Sequence, residues 1–171
     1  MIRKLAIAVL ALAFCGLPDA SAAGEHMDTQ ISPEEQEVRN VLLEIIDRFN
    51  RHEVRPPDNP TFTKDADFIN VEGTWMSGLD EISRVNKMSS TAWLKDAKIT
   101  LIKLDIRFIR PDVVIAHQLH EMTGSRHSDG TALPPHRQLS TRVMVKEQGK
   151  WMTTAFQNMI VGSTVPPAPT Q

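Results

Sequence analysis

The stretch from Arg137 to Ile160 constrains the fold more than any other part of the chain. Thr141-Arg142-Val143 precedes Gln148-Gly149-Lys150-Trp151, and Ala155-Phe156-Gln157-Asn158 follows it. Two long alternating strands joined by a glycine-containing turn form a hairpin, and such strands need one buried face. Arg142 stands among the apolar residues of that hairpin. Desolvating a charge without a partner is costly, so a buried Arg142 requires a protein partner or a ligand.

The other end of the chain sets its address. Arg3 and Lys4 precede the apolar run Leu5 to Phe14, which is too short to span a bilayer, and Ala20-Ser21-Ala22 offers a small-residue cleavage site. Residues 1–22 are therefore read as a signal peptide and the remainder as periplasmic or secreted. Phe14, before Cys15, is too bulky for a lipidation box. Cleavage removes Cys15, the one cysteine, which excludes a disulfide, a thiol nucleophile or a cysteine metal site. The remaining length suits one domain with an apolar core of its own.

The 19 basic and 21 acidic residues are nearly balanced, and no basic stripe or second long apolar segment suggests nucleic acid or a membrane as partner. After a leader at 23–31, Ser32-Pro33-Glu34-Glu35 supplies an N-cap, a first-turn proline and a capping-box acid. The helix that follows carries Val38, Val41, Leu42, Ile45, Ile46 and Phe49 on one stripe and ends before Pro56-Pro57. A short turn at Asn59 to Thr63, a strand at Ala66 to Val71, a turn at Glu72-Gly73 and a return at Thr74 to Met76 come next. Gly78 opens a second helix with Leu79, Ile82, Val85 and Met88 at helical spacing.

Strands are expected at Ala97 to Ile109 and Val113 to Met122, before a Gly, Ser and Pro-rich loop and the final hairpin. Residues 32–161 thus form an α+β domain in which a curved antiparallel sheet wraps around helices as a cone, with 162–171 a disordered tail. Along Ala97 to Ile109 the alternation is imperfect. Ile102, Leu104, Ile106 and Phe108 make the cleaner apolar face, and partial cover of both faces suggests a homodimer through the sheet.

From about Pro33 to Val161 the chain resembles the nuclear transport factor 2-like superfamily, a cystatin-like roll, and within it the SnoaL-like and SgcJ/EcaC-like branch. The resemblance is carried by Ala66-Asp67-Phe68-Ile69-Asn70, Gly73-Thr74-Trp75, Gly78, Val114-Ile115-Ala116-His117, Thr141-Arg142-Val143, Gly149-Lys150-Trp151 and Phe156-Gln157-Asn158. It implies a cone whose open end admits a small, largely apolar ligand, and often a homodimer on the outer sheet face. Thr141-Arg142-Val143 with Gly149-Lys150-Trp151 also looks like the association domain of calmodulin-dependent kinase II, where the matching arginine points into the pocket. Asn158 stands where that domain has a second pocket arginine. Asn86 replaces a histidine of many relatives, and the absence of tyrosine removes the oxyanion donor of the ketosteroid isomerases.

Strand parity puts Gln138, Ser140, Arg142 and Met144 on one face, and Met152, Thr154, Phe156 and Asn158 on one face of the last strand, leaving Trp151 and Gln157 on the other. An inward Arg142 offers a donor fork for a carboxylate, enolate or carbonyl oxygen; the competing reading is a salt bridge to Glu121, Asp67 or Glu147. His117 is the candidate base, against a satisfied core histidine, with His120 on the opposite face, exposed or at an interface. Parity also denies His117 and His120 a shared metal. Asp67 against Trp75 is a candidate acid or base, against a turn cap, with Asn70 beside it. His117, Asp67 and Arg142 are thus the candidate catalytic set, and Asn70, Trp75, Phe156 and Asn158 the candidate substrate contacts. No motif calls for a metal or cofactor.

The function expected is ligand binding in an exported cone domain, with cofactor-free isomerase, cyclase or hydrolase chemistry on a small apolar substrate. The alternative is a non-catalytic ligand-binding or dimeric assembly module.

Overall fold

The computed structural model describes residues 31–53, 61–127 and 129–162. The expected signal peptide, nearly all of the expected leader, the Pro56-Pro57 break, the start of the expected turn at Asn59 and nearly all of the expected tail lie outside the described residues. Helix α1 runs Pro33–Arg51, and Ser32 Oγ accepts from the Glu35 backbone N–H at 3.1 Å, as the capping signal predicts. Val38 and Leu42 are fully buried, while Glu35–Arg39 and Glu44–Arg48 ion pairs run along its other side. His52, at φ 56°, caps the end.

Strand β1 spans Phe62–Ile69 and β2 Trp75–Ser77. Between them Asn70 Oδ1 accepts the backbone N–H groups of Glu72 and Thr74, at 3.1 and 2.9 Å, and so shapes the turn. Helix α2, Leu79–Thr91, buries Ile82. Then come β3 Lys98–Arg110, β4 Val113–Thr123, β5 His136–Glu147 and β6 Lys150–Ile160. Gln148 and Gly149, with φ of 49° and 76°, form the two-residue hairpin turn whose twist matches the flanking strands.

The six strands lie in the order β2-β1-β6-β5-β4-β3 and form one open sheet. All neighbours are antiparallel except β1 and β6, which run parallel, so the sheet is mixed and not wholly antiparallel as expected. Helix α1 lies against β3 and β6, and α2 against β1 and β2. The face they cover is the inner one.

Two bulges decide which side chains reach it. Leu101 pairs with His120 and Lys103 with Leu119, so Ile102 is left between them, 47 % exposed. Ile99 and Leu101 point inward before that bulge, and Leu104, Ile106 and Phe108 after it, which accounts for the broken alternation. In β6, Thr153 pairs with Met144 and Ala155 with Val143. The extra residue reverses the parity expected for the first half of β6: Trp151 and Thr153 face inward, not Met152 and Thr154. Trp151 packs with Val38, Leu42, Val114, Ala116 and Met144 in one apolar cluster, while Phe62, Ala66, Met76, Ile82 and Phe156 form another.

Candidate functional site: a polar floor around Arg142

The antiparallel register lines up three rows across β4, β5 and β6 on the inner face: Ala116–Arg142–Phe156, Gln118–Ser140–Asn158 and His120–Gln138–Ile160. A sheet face buried under helices is normally apolar, yet Gln118, His120, Gln138, Ser140, Arg142 and Thr153 are all buried there. The arginine is the centre of this floor. Its Nε donates to Gln118 Oε1 at 3.1 Å and its Nη1 to Thr153 Oγ1 at 3.2 Å. The guanidinium carbon lies 4.1 Å from the Phe156 ring centroid and 6.0 Å from that of Phe62. Two neutral oxygens and two aromatic faces help to orient the cation.

His120 is the second ionisable group of the floor, and its burial within the chain corrects the expectation of a side chain exposed or at an interface. Desolvation holds its pKa below the ordinary histidine value, and the nearby charge of Arg142 acts the same way. Hydrogen bonds to Gln138 and to the Gln118 backbone oppose them. Gln138 Nε2 is 2.9 Å from His136 Nε2, and Asn158 Nδ2 donates to Gln138 Oε1 at 3.1 Å. Phe156 also packs on Phe68, with ring centroids 4.7 Å apart. Arg142, Phe156 and Asn158 are therefore brought together on the inner face.

The other four candidates are not. His117 pairs across the sheet with Thr141, which pairs in turn with Gln157, so it belongs to the outer row; its Nδ1 lies 3.1 Å from Thr141 Oγ1 and the side chain is exposed. Its expected inward position is corrected because Ala116, one residue earlier, takes the inner place opposite Arg142. Asp67 pairs with Ala155 on the outer face and accepts from Trp75 Nε1 at 2.8 Å, leaving the indole 66 % exposed. Together with Ile69, Thr141, Val143, Ala155, Phe156 and Gln157 these two line a hollow of about 460 Å³. Asn70 spends its side-chain oxygen on the turn. A constellation of His117 or Asp67 with Arg142 is not assembled, since the sheet separates them.

Sequence reasoning missed Gln118, Thr153 and the inward His120. In Val113-Val114-Ile115-Ala116 both faces are apolar, so the run carries no phase, and choosing His117 fixed the wrong one. Counting in twos from Gln138 and Arg142 across the hairpin finds β5 correctly. Only the β4–β5 register places Gln118 beside Arg142.

No protein-family model and no curated relative matches the sequence. Solved structures do. An uncharacterised protein with a cystatin-like fold from Caulobacter vibrioides aligns at a TM-score of 0.69 and 21 % identity, over 77 % of this chain and 92 % of its own. A ketosteroid isomerase-like protein from Erwinia carotovora atroseptica SCRI1043 aligns at 0.62 and 16 % identity, over 77 % and 98 %. A nuclear transport factor 2-like protein of unknown function from Pseudomonas putida KT2440 aligns at 0.61 and 12 % identity, over 76 % and 88 %. With its helices against one face of an open six-stranded sheet, the chain has the α+β fold of the cystatin-like, nuclear transport factor 2-like proteins.

Proposed function

We propose that this protein is an exported, small-molecule-binding cone domain of the SnoaL-like kind, periplasmic or secreted, whose largely apolar ligand presents an oxygen to Arg142. The observation that carries the reading is the buried, oriented guanidinium set between Phe62 and Phe156. Aromatic rings accommodate an apolar body, and the arginine fork supplies the single strong recognition of a carbonyl, enolate or carboxylate oxygen. Similarity to a ketosteroid isomerase-like protein agrees with cofactor-free chemistry of isomerase, cyclase or hydrolase type on that ligand. In such a reaction His120, neutral and buried, moves the proton, and Arg142 stabilises the oxygen as charge develops. Neither His117 nor Asp67 takes part, because both lie across the sheet.

The exposed Trp75 and its neighbours Ile69, Val143 and Ala155 support a homodimer formed through the outer face. The outward His117 and Asp67 favour a second reading, a non-catalytic ligand-binding or assembly module in which the same inner floor only holds its ligand. Native mass spectrometry of the protein purified from its own host tests the shared claim. A retained small molecule is expected on the unsubstituted chain and is lost from folded Arg142→Met. No retained mass on either protein contradicts the proposal, and retention by both removes Arg142 from it.

A further inference from the structure

The floor around Arg142 ends in a series of directional hydrogen bonds that runs from the Pro134 carbonyl through His136 and Gln138, beside His120, to Asn158. The Pro134 carbonyl can only accept, and it lies 2.8 Å from His136 Nδ1, so that nitrogen carries the proton. In the neutral ring Nε2 is then a lone pair, and the atom 2.9 Å from it is the amide nitrogen of Gln138, a donor. This orients Gln138 with Oε1 toward Asn158, whose Nδ2 donates to it at 3.1 Å. Asn158 is thereby fixed as well. Its Oδ1 is turned away from Gln138, buried, and without a hydrogen-bond partner among the described residues.

Buried acceptors in folded proteins are nearly always paired, so one held in place by its neighbours marks where a donor belongs. Asn158 shares the inner face of β6 with Phe156, two residues away, over whose ring the Arg142 guanidinium lies. We propose that Pro134, His136 and Gln138 are positioning groups that hold Asn158 Oδ1 as the acceptor for a hydroxyl or N–H of the ligand. This rests on the Arg142 ligand reading and narrows it. The ligand class becomes a small molecule carrying a hydroxyl or amine donor as well as the oxygen taken by Arg142, such as a hydroxylated ring with a carboxylate or ketone.

The test uses the full chain and two probes matched in shape, 4-hydroxybenzoate and 4-methylbenzoate, measured by titration calorimetry. A site built to pair with a hydroxyl discriminates strongly against an analogue lacking it. The hydroxyl probe is expected to bind at least about tenfold tighter than the methyl analogue, with the ratio falling to about one in Asn158→Leu. In His136→Phe, which leaves the Arg142 contacts intact, the ratio narrows while the methyl analogue still binds. Nitrogen-15 NMR of His136 is expected to show the Nδ1–H tautomer. Because the unsubstituted chain gives both the probe ratio and the tautomer, a variant that fails to fold does not shelter the proposal. Equal binding of the two probes that still requires Arg142, or an Nε2–H tautomer at His136, overturns the relay alone. Failure of both probes to bind overturns the relay together with the Arg142 reading beneath it.

Discussion

Buried ionisable side chains make the sharpest statements available at the scale of single residues. His120 has its pKa lowered in the folded chain, chiefly by desolvation, so between that value and the ordinary histidine range the unfolded chain binds the extra proton. Stability therefore rises with pH through that window and is lost as pH falls from about 6.5 toward the folded value. Urea unfolding at pH 8 and pH 5.5 should show a smaller loss on acidification in His120→Gln than in the unsubstituted chain. An identical loss would mean that His120 is not desolvated. Arg142 was legible as an inward cation because the hairpin has clear alternation. The inward phase of His120 was not legible, because the preceding residues are apolar on both faces.

At the scale of elements, the N-cap of α1, the turn at Asn70 and the β5–β6 hairpin could all be read locally, since each is specified by residues a few positions apart. The bulges at Ile102 and between Thr153 and Ala155 depend on how one strand lies against its neighbour. A sequence read strand by strand cannot supply that pairing. The consequence is testable in β6, where parity alone would place Met152 with Phe156 and the observed register instead buries Trp151. Trp151→Ala should cost about 3–5 kcal/mol by emptying the cluster with Val38, Leu42 and Met144. Met152→Ala, on the other face and half-buried, should cost about 1 kcal/mol. Denaturant unfolding of the two variants checks the order, and the reverse order would contradict the bulge.

For the whole molecule, the parallel β1–β6 pairing closes the first strand against the last and gives the sheet two faces of different character. The inner face carries the buried polar floor between the regions packed by α1 and α2. The outer face leaves Trp75, Leu139 and Met159 exposed. If the outer face joins two copies, Val143→Glu places an unpaired carboxylate in that interface. Burying such a charge costs about 3–5 kcal/mol, roughly a hundredfold or more in the dimer constant. Analytical ultracentrifugation should give a mass of two chains for the unsubstituted protein and one for the variant; a monomeric unsubstituted protein would contradict the dimer.

On the proposed function, the ligand belongs to the inner face and not to the outer hollow. A crystal structure of the protein purified from its own host, with its retained small molecule, tests this most directly. Density is expected for a ligand oxygen within hydrogen-bond distance of the Arg142 guanidinium, beside Phe62 and Phe156. Density seated instead over Trp75 and Asp67, with the floor around Arg142 closed, would contradict it.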